Sequence, residues 1–267
     1  MSSATLDQIL AEIGDTGLRM AQIDAAEGAA GNISVYVADE LRPDVRFDTS
    51  AEIDLPVTVP SLAGGWVVVT GTGRRLRDAA RRPETAVCLL RILAGGRRAV
   101  LYGTDGMRPT SEINTHLAVH DDHVARRGVR LHGIVHAQPI HLAYLSHLPR
   151  YQETGTFNRR LLRWQPETIV EFPEGIGVLP FQAPGSADQM GISAPALARY
   201  RAIVWSRHGI VTRSDKGAGK AGDLVEYAEA AAHYEYLNLA AGEPTAGLSD
   251  EEMRLICERL GIEQEYF

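Results

Sequence analysis

The stretch GIVHAQPIH, residues 133–141, ends an apolar run with His136 and Gln138 two positions apart. On a strand, alternate side chains share a face, so these two point the same way. His-x-His in that setting offers two imidazoles to one metal ion, but the second position here is a neutral amide. The residues alone leave two readings open: no metal site, or one with an amide oxygen as an unusual ligand. His208, in WSRHGIV, is a further imidazole beside a predicted turn. A chain with nine histidines places several near strand ends by chance, so any one of them also reads as structural.

Three other stretches are polar and rich in glycine or hydroxyls. AAGNISV carries Gly31, Asn32 and Ser34; VVTGTGRR carries Thr70, Gly71, Thr72 and Gly73; RPTSEI carries Thr110, Ser111 and Glu112. Backbone N–H groups in glycine turns, hydroxyls and a helix N-terminus together make a cradle for an anion. Each stretch taken singly is equally a tight turn with a cap. Neither GNIS nor TGTG matches the P-loop or the dinucleotide fingerprint. Glu112 in a first helical turn is also what the helix dipole favours without any catalytic role.

The elements that must position these residues follow from periodicity. Residues 5–25 carry Leu6, Ile9, Leu10 and Ile13 at helical spacing. NISVYV, VRFDTS (45–50) and WVVVT read as strands, and TAVCLLRIL and RRAVLYG flank AGG as a hairpin. PTSEINTHLAVHDDHVARRG reads as a helix with Ser111 as N-cap and Gly128 as its stop. A strand, LHGIVHA, follows, then a helix that Pro139 opens at its first position. ETIVEF and IGVLPF read as strands around PEG, and SADQMGISAPALARY as a helix. AIVWSRHGIVTRS reads as a strand pair turning at His208-Gly209, and a long helix covers 219–240. Ser249 and Glu252 match the capping box of a last helix. Strands linked as hairpins and mixed with helices predict an α/β fold: three α/β/α layers around a mixed, mainly antiparallel central sheet. With no repeat and no Pro/Ser-rich linker, residues 1–267 read as one domain.

The net charge of −7 argues against a nucleic-acid partner bound through bulk electrostatics. The first basic residue is Arg19, so the expected basic start of a secretory signal is lacking, and no apolar run has the length of a membrane span. Cys88 and Cys257 are far apart, and Cys88, in TAVCLLRIL, reads as a buried thiol, which suits a reducing cytoplasm.

The order Gly-Asn-x-Ser, Thr-Gly-x-Gly, Pro-Thr-Ser-Glu, a strand ending in His, then His-Gly near a turn resembles the class II aldolase/adducin family over about residues 25–240. PTSE with His116 four residues beyond its glutamate, VEFPEGIGVLPFQAPGS and IVWSRHGIV are most similar to its L-rhamnulose-1-phosphate aldolase branch. The resemblance implies a metal-dependent aldolase that splits a ketose 1-phosphate into dihydroxyacetone phosphate and a small aldehyde. It implies a phosphate site at Asn32, Thr72, Gly73 and Ser111, an acid/base at Glu112, and a second active-site carboxylate at Glu167 in QPETIVEF. It implies metal ligands at His136, His208 and position 138, with Zn2+ as the expected ion, and a homotetramer with the site at a subunit boundary. Gln138 stands where the family has its second metal histidine, and His141 is the other candidate to fill that place. Sugar-phosphate epimerases, dehydratases and decarboxylases share the same frame, as do adducin-like assembly proteins without catalysis.

Overall fold

The computed structural model describes residues 5–43 and 45–267. In chain order the principal elements are α1 (Leu6–Gln22), β1 (Asn32–Val37), β2 (Thr49–Asp54), β3 (Trp66–Thr70), α2 (Pro83–Ala86), β4 (Val87–Ile92) and β5 (Arg98–Gly103). They continue with α3 (Ile113–Arg127), β6 (Leu131–Ala137), α4 (Ile140–Leu145), α5 (Thr154–Leu161), α6 (Pro166–Glu171) and β7 (Gly177–Leu179). The last are α7 (Ala187–Arg199), β8 (Ala202–Trp205), β9 (Gly209–Ser214), α8 (Ala218–Ala240) and α9 (Asp250–Leu260).

The strands form a sheet in the order β2-β5-β4-β3-β1-β6-β9-β8-β7. Its pairings are antiparallel except β7 with β8, so the mixed, mainly antiparallel sheet is observed. Alternation divides the central strands between two layers. Ile33, Val35, Val135, Ala137, Val204 and Ile210 join the core shared with α1 and α8. Ile134, Ile203, Trp205 and Val211 pack with Val119 and Leu197 of α3 and α7 on the opposite face. Asn32, Ser34, His132 and His136 have the parity of Ile134 and so face α3. The strands that carry candidate ligands therefore turn them toward the helix that carries Glu112.

Most predicted elements are present, and the differences have local causes. ETIVEF is not a strand but α6, with Pro166 in its first turn and Thr168, Ile169 and Phe172 buried. Proline at the first helical position presets φ, and the Ile169/Phe172 spacing is helical despite the β-branched residues. VRFDTS begins as a 3-10 turn over Val45–Phe47, and the strand starts only at Thr49. The N-cap of α3 is Glu112 rather than Ser111, while Gly128 does close that helix in the left-handed conformation at φ 61°. Pro139 is the N-cap of α4, one position earlier than predicted. The Ser249–Glu252 capping box of α9 forms as expected. No helix among the described residues is long and apolar enough to cross a membrane.

Candidate active site

The site lies where β1 begins and where β3 and β6 end, closed by the turn between β8 and β9. Asn32 and His136 are direct cross-strand partners. Gly31, at φ 78°, must be glycine: a Cβ there would sit 2.8 Å from the carbonyl oxygen of His136. On the other side, a Cβ on Gly209 would fall 2.3 Å from the Ala137 carbonyl oxygen and 3.2 Å from His136 Cε1. His136 is thus clamped between two strands whose glycines admit its backbone and ring. Its Nδ1–H donates to the Ile210 carbonyl at 3.0 Å, which leaves the Nε2 lone pair facing the site.

Glu112 reaches the same point from the start of α3. Thr110 N–H donates to the Thr70 carbonyl and Thr72 N–H to the Arg108 carbonyl, so the turn before α3 is stitched to the end of β3. Glu112 is only 3% exposed. Its Oε2 accepts from Asn32 Nδ2 at 2.7 Å and lies 3.6 Å from His136 Nε2. Its Oε1 lies 3.9 Å from His208 Nε2 and has no hydrogen-bond partner, although it is buried. Burial pushes the Glu112 carboxyl up, but His136, the Asn32 amide and His208 together outweigh it and hold the group below the usual range. It is a carboxylate at neutral pH. His208 is pushed down to about 4 by burial and by His136, and its ring stacks on Trp205 at 5.2 Å. Gln189 Nε2 lies 3.4 Å from His208 Nδ1, too long to fix that ring's tautomer.

The ligand atoms of Glu112, His136 and His208 lie within 4.8 Å of one another. An unshared imidazole lone pair facing a carboxylate inside the protein is an acceptor opposite an acceptor, which a cation between them relieves. Two imidazoles and one carboxylate are also the donor set of open zinc sites. These residues fit a divalent ion, with Glu112 as a candidate donor beside the two imidazoles as well as position 138. Gln138 is half-buried beside them: its Cγ lies 3.2 Å from the Cβ position of Gly209. His141 is committed elsewhere, on α4, with its Nδ1 2.6 Å from Glu229 Oε1.

Behind Glu112 runs a buried chain of hydrogen bonds that the sequence reading did not foresee. A carboxylate only accepts, so Asn32 turns its NH2 to Glu112 and its Oδ1 to His116 Nε2 at 2.5 Å. His116 then donates from Nε2, and its Nδ1 accepts from the Ser34 hydroxyl at 2.6 Å. Ser34 Oγ in turn accepts from His120 Nε2 at 2.8 Å, and His120 Nδ1 accepts from His132 Nδ1 at 2.8 Å. Each ring needs one proton, and burial holds His116, His120 and His132 neutral. The chain fixes the amide of Asn32 and through it the carboxylate. Its signal in the sequence is the spacing of His116 and His120, four residues apart on one face of a helix.

The remaining predicted residues divide. Thr72 is half-buried, Gly73 has φ 69° with open space at its Cβ position, and Ser111 is exposed. Thr72 and Gly73 follow β3 and Ser111 precedes Glu112, and the Gly71–Pro109 bridge joins these two turns beside Glu112, the partner of Asn32. Gly185, at φ 73°, packs its Cβ position 2.6 Å from the Ser111 carbonyl, and Asn114 Nδ2 donates to the Gly185 carbonyl at 3.0 Å. The APGS loop therefore walls the Ser111 turn. Glu167 is not brought to it: it stands exposed in the first turn of α6, on the layer with α8 and α9.

A family profile described as "Class II Aldolase and Adducin N-terminal domain" matches residues 11–236, and the chain belongs to that family. Its relatives include the rhamnulose-1-phosphate aldolase of Bacteroides thetaiotaomicron, 30% identical over 234 residues, 86% of this chain and 85% of that one. The rhamnulose-1-phosphate aldolase of Listeria innocua is 29% identical, with 98% of this chain and 97% of that one covered. Among solved structures, a sugar-phosphate aldolase from Thermotoga maritima superposes with a TM-score of 0.76 at 29% identity, over 91% of this chain and 99% of that one. An L-fuculose 1-phosphate aldolase shares the fold at a TM-score of 0.62 and 20% identity, over 97% of this chain and 98% of that one.

Proposed function

We propose that the chain acts as a single domain and is a metal-dependent aldolase, cleaving a ketose 1-phosphate of the rhamnulose 1-phosphate kind to dihydroxyacetone phosphate and a small aldehyde. The observation that carries this reading is the buried Glu112 carboxylate held between the Asn32 amide and the imidazoles of His136 and His208. His136, His208 and Glu112, with Gln138 beside them, would hold a divalent ion such as Zn2+, which when bound supplies Lewis-acid polarisation of a carbonyl. Thr72, Gly73, Ser111 and Asn32 bind and orient the phosphate end. Glu112, ionised and shielded from water, moves the proton at the carbon that loses its bond. The names of the relatives support this substrate class, and the metal's identity rests on the donor set alone.

Glu167 completes the reading as a proposal about assembly. It is exposed and pairs with no cation among the described residues, and a second carboxylate for this chemistry placed away from its own chain's Glu112 suits the site of a neighbouring subunit. Ile140, Tyr144, Tyr236 and Leu237 form exposed apolar ground on α4 and α8 that a homotetramer would cover. The compartment proposed is the cytoplasm, where phosphorylated sugars are found and the two free thiols stay reduced.

The direct test is metal analysis of the purified protein together with dihydroxyacetone phosphate release from a panel of ketose 1-phosphates. Release from none of them, with metal present, refutes the aldolase reading in favour of another sugar-phosphate chemistry or an assembly role. Thr72→Val and Ser111→Ala should each weaken both phosphorylated substrates and inhibition by inorganic phosphate by roughly 10–100-fold, since a hydrogen bond to a charged group contributes about 1.5–3 kcal/mol. Equal inhibition constants in both variants and the parent would remove the phosphate cradle. For the metal, Gln138→His should raise zinc affinity and His136→Ala should lower it, read as stoichiometry and dissociation constant on folded protein. Unchanged binding in both would mean that β6 carries no ligand.

A further inference from the structure

At the other end of β9, a six-residue strand and therefore on the order of 20 Å from the His208 turn, lies a cavity of about 470 Å3. Its lining carries six cationic side chains, Arg127, Arg199, Arg201, Arg213, Lys216 and Lys220, against two acids, Glu174 and Asp215. That concentration of positive charge stands in a chain of net charge −7, so it is not a reflection of composition. Four of the cations are already neutralised: Arg127 pairs with Asp215 at 2.9 Å, Arg201 with Glu174 at 2.8 Å, Arg199 with Glu265 at 2.7 Å and Lys220 with Glu171 at 2.9 Å. Arg213 and Lys216 have no carboxylate partner among the described residues.

Arg213 is the telling residue, because it is 5% exposed. Its Nε donates to the Leu197 carbonyl at 2.6 Å, which fixes the plane of the guanidinium and leaves its two terminal NH2 groups for the cavity it lines. A buried guanidinium with no carboxylate in direct contact is under-compensated, and a planar fork presented to a cavity matches a carboxylate or phosphate. Burial pushes this group down to about 10, so it still carries its charge at neutral pH. Lys216, exposed at the rim in the turn between β9 and α8, adds a mobile second charge. Asp215 and Glu174 bear on Arg213 with negative charge, but each is bonded directly to another guanidinium, Arg127 or Arg201, and neither pairs with Arg213 within ion-pair distance among the described residues.

The neighbouring group of His123, His132 and Asp215 does not turn this region into a cation site. The two rings are stacked, 4.6 Å apart and 20° from parallel, so their lone pairs run side by side instead of converging. Arg213 bears on both imidazoles with positive charge, and Arg127 bears on that of His132.

We propose that the cavity around Arg213 and Lys216 is a second anion site, separate from the sugar-phosphate site, which takes a small multivalent phosphorylated or polycarboxylate metabolite. This assignment does not depend on which reaction Glu112 serves. Pyrophosphate and citrate are the probes, titrated by calorimetry into the full-length protein, into Lys216→Glu, into Arg213→Met and into the double variant Thr72→Val/Ser111→Ala. One or both probes should bind the double variant, and the preferred probe tells a phosphorylated ligand from a polycarboxylate. Lys216→Glu, on the surface, should keep its fold and its turnover while that dissociation constant rises at least tenfold. Arg213→Met should do the same if its thermal unfolding shows it folded; if it does not fold, Lys216→Glu alone decides. Binding that is absent from the double variant, or unchanged in Lys216→Glu, overturns the proposal.

Discussion

Glu112→Gln is expected to abolish cleavage while leaving metal and phosphate binding largely in place. The substitution preserves the shape of the side chain and the Asn32 contact through its amide oxygen, and it removes the basic oxygen that now faces His208 without a partner. General acid–base catalysis contributes roughly 10²–10⁴ to turnover, so the loss should appear in kcat with little change in the binding of inorganic phosphate. Because Glu112 also stands among the candidate ligands, metal stoichiometry must be measured on the same preparation. A variant that keeps its metal and more than about a tenth of the parent's turnover would remove Glu112 from proton transfer. A variant that loses its metal would make Glu112 first of all a ligand.

Acid should unfold the protein well before its carboxylates titrate. His116 is pushed down to about 4, and His120 and His132 lie well below their ordinary value, in each case chiefly by burial. In the unfolded chain these rings take up protons near pH 6.5, whereas in the folded chain they stay neutral. Their contribution to stability is therefore complete above about pH 6.5 and is lost as pH falls toward the folded-state values. With three such groups the slope between about pH 6 and pH 5 approaches roughly 4 kcal/mol per pH unit, against a typical total stability of about 5–15 kcal/mol. Urea unfolding at pH 7.5, 6.5, 5.5 and 5.0 measures this directly. Repeating the series after chelation separates loss of metal from protonation of the relay. His120→Asn, which removes one of the titrating rings, should lower the slope by about one proton's share. Stability that stays level from pH 7 to pH 5 would mean that the buried rings are hydrated or already charged.

The two expectations meet in one structural feature. The chain of bonds from His132 through His120, Ser34, His116 and Asn32 ends on the carboxylate that the first prediction removes. A continuous buried polar network of this kind, satisfied at every inner member and open only at Glu112 Oε1 and His132 Nε2, fixes one arrangement of its members, and its cost is sensitivity to protonation. The protein thus places its most acid-sensitive groups directly behind its candidate catalytic group.

Local rules were enough to read much of this molecule from the residues alone. Period-two alternation put His136 at the end of a strand, on the same face as position 138, and helix stop and cap signals placed α3 and α9, because these depend on neighbours a few residues apart. The glycines at 31 and 209 mark backbone approaches that no other residue admits, so their motifs were visible as motifs. Where two local rules competed the reading failed: β-branched residues in ETIVEF suggested a strand, and Pro166 with the Ile169/Phe172 spacing made it α6. What local rules do not contain is which distant side chains meet. Asn32 and Glu112 are 80 positions apart, and only the β1–β6 pairing with α3 laid across it brings them to 2.7 Å. The same packing set Glu112 beside His136 and His208, linked His116, His120 and His132 into a single chain of hydrogen bonds, and left Glu167 outside. It also gathered cations from α3, α7, β9, α8 and the connecting segments into one cavity. Coulomb interactions and ligand geometry depend on distance in space, and the sequence records only distance along the chain.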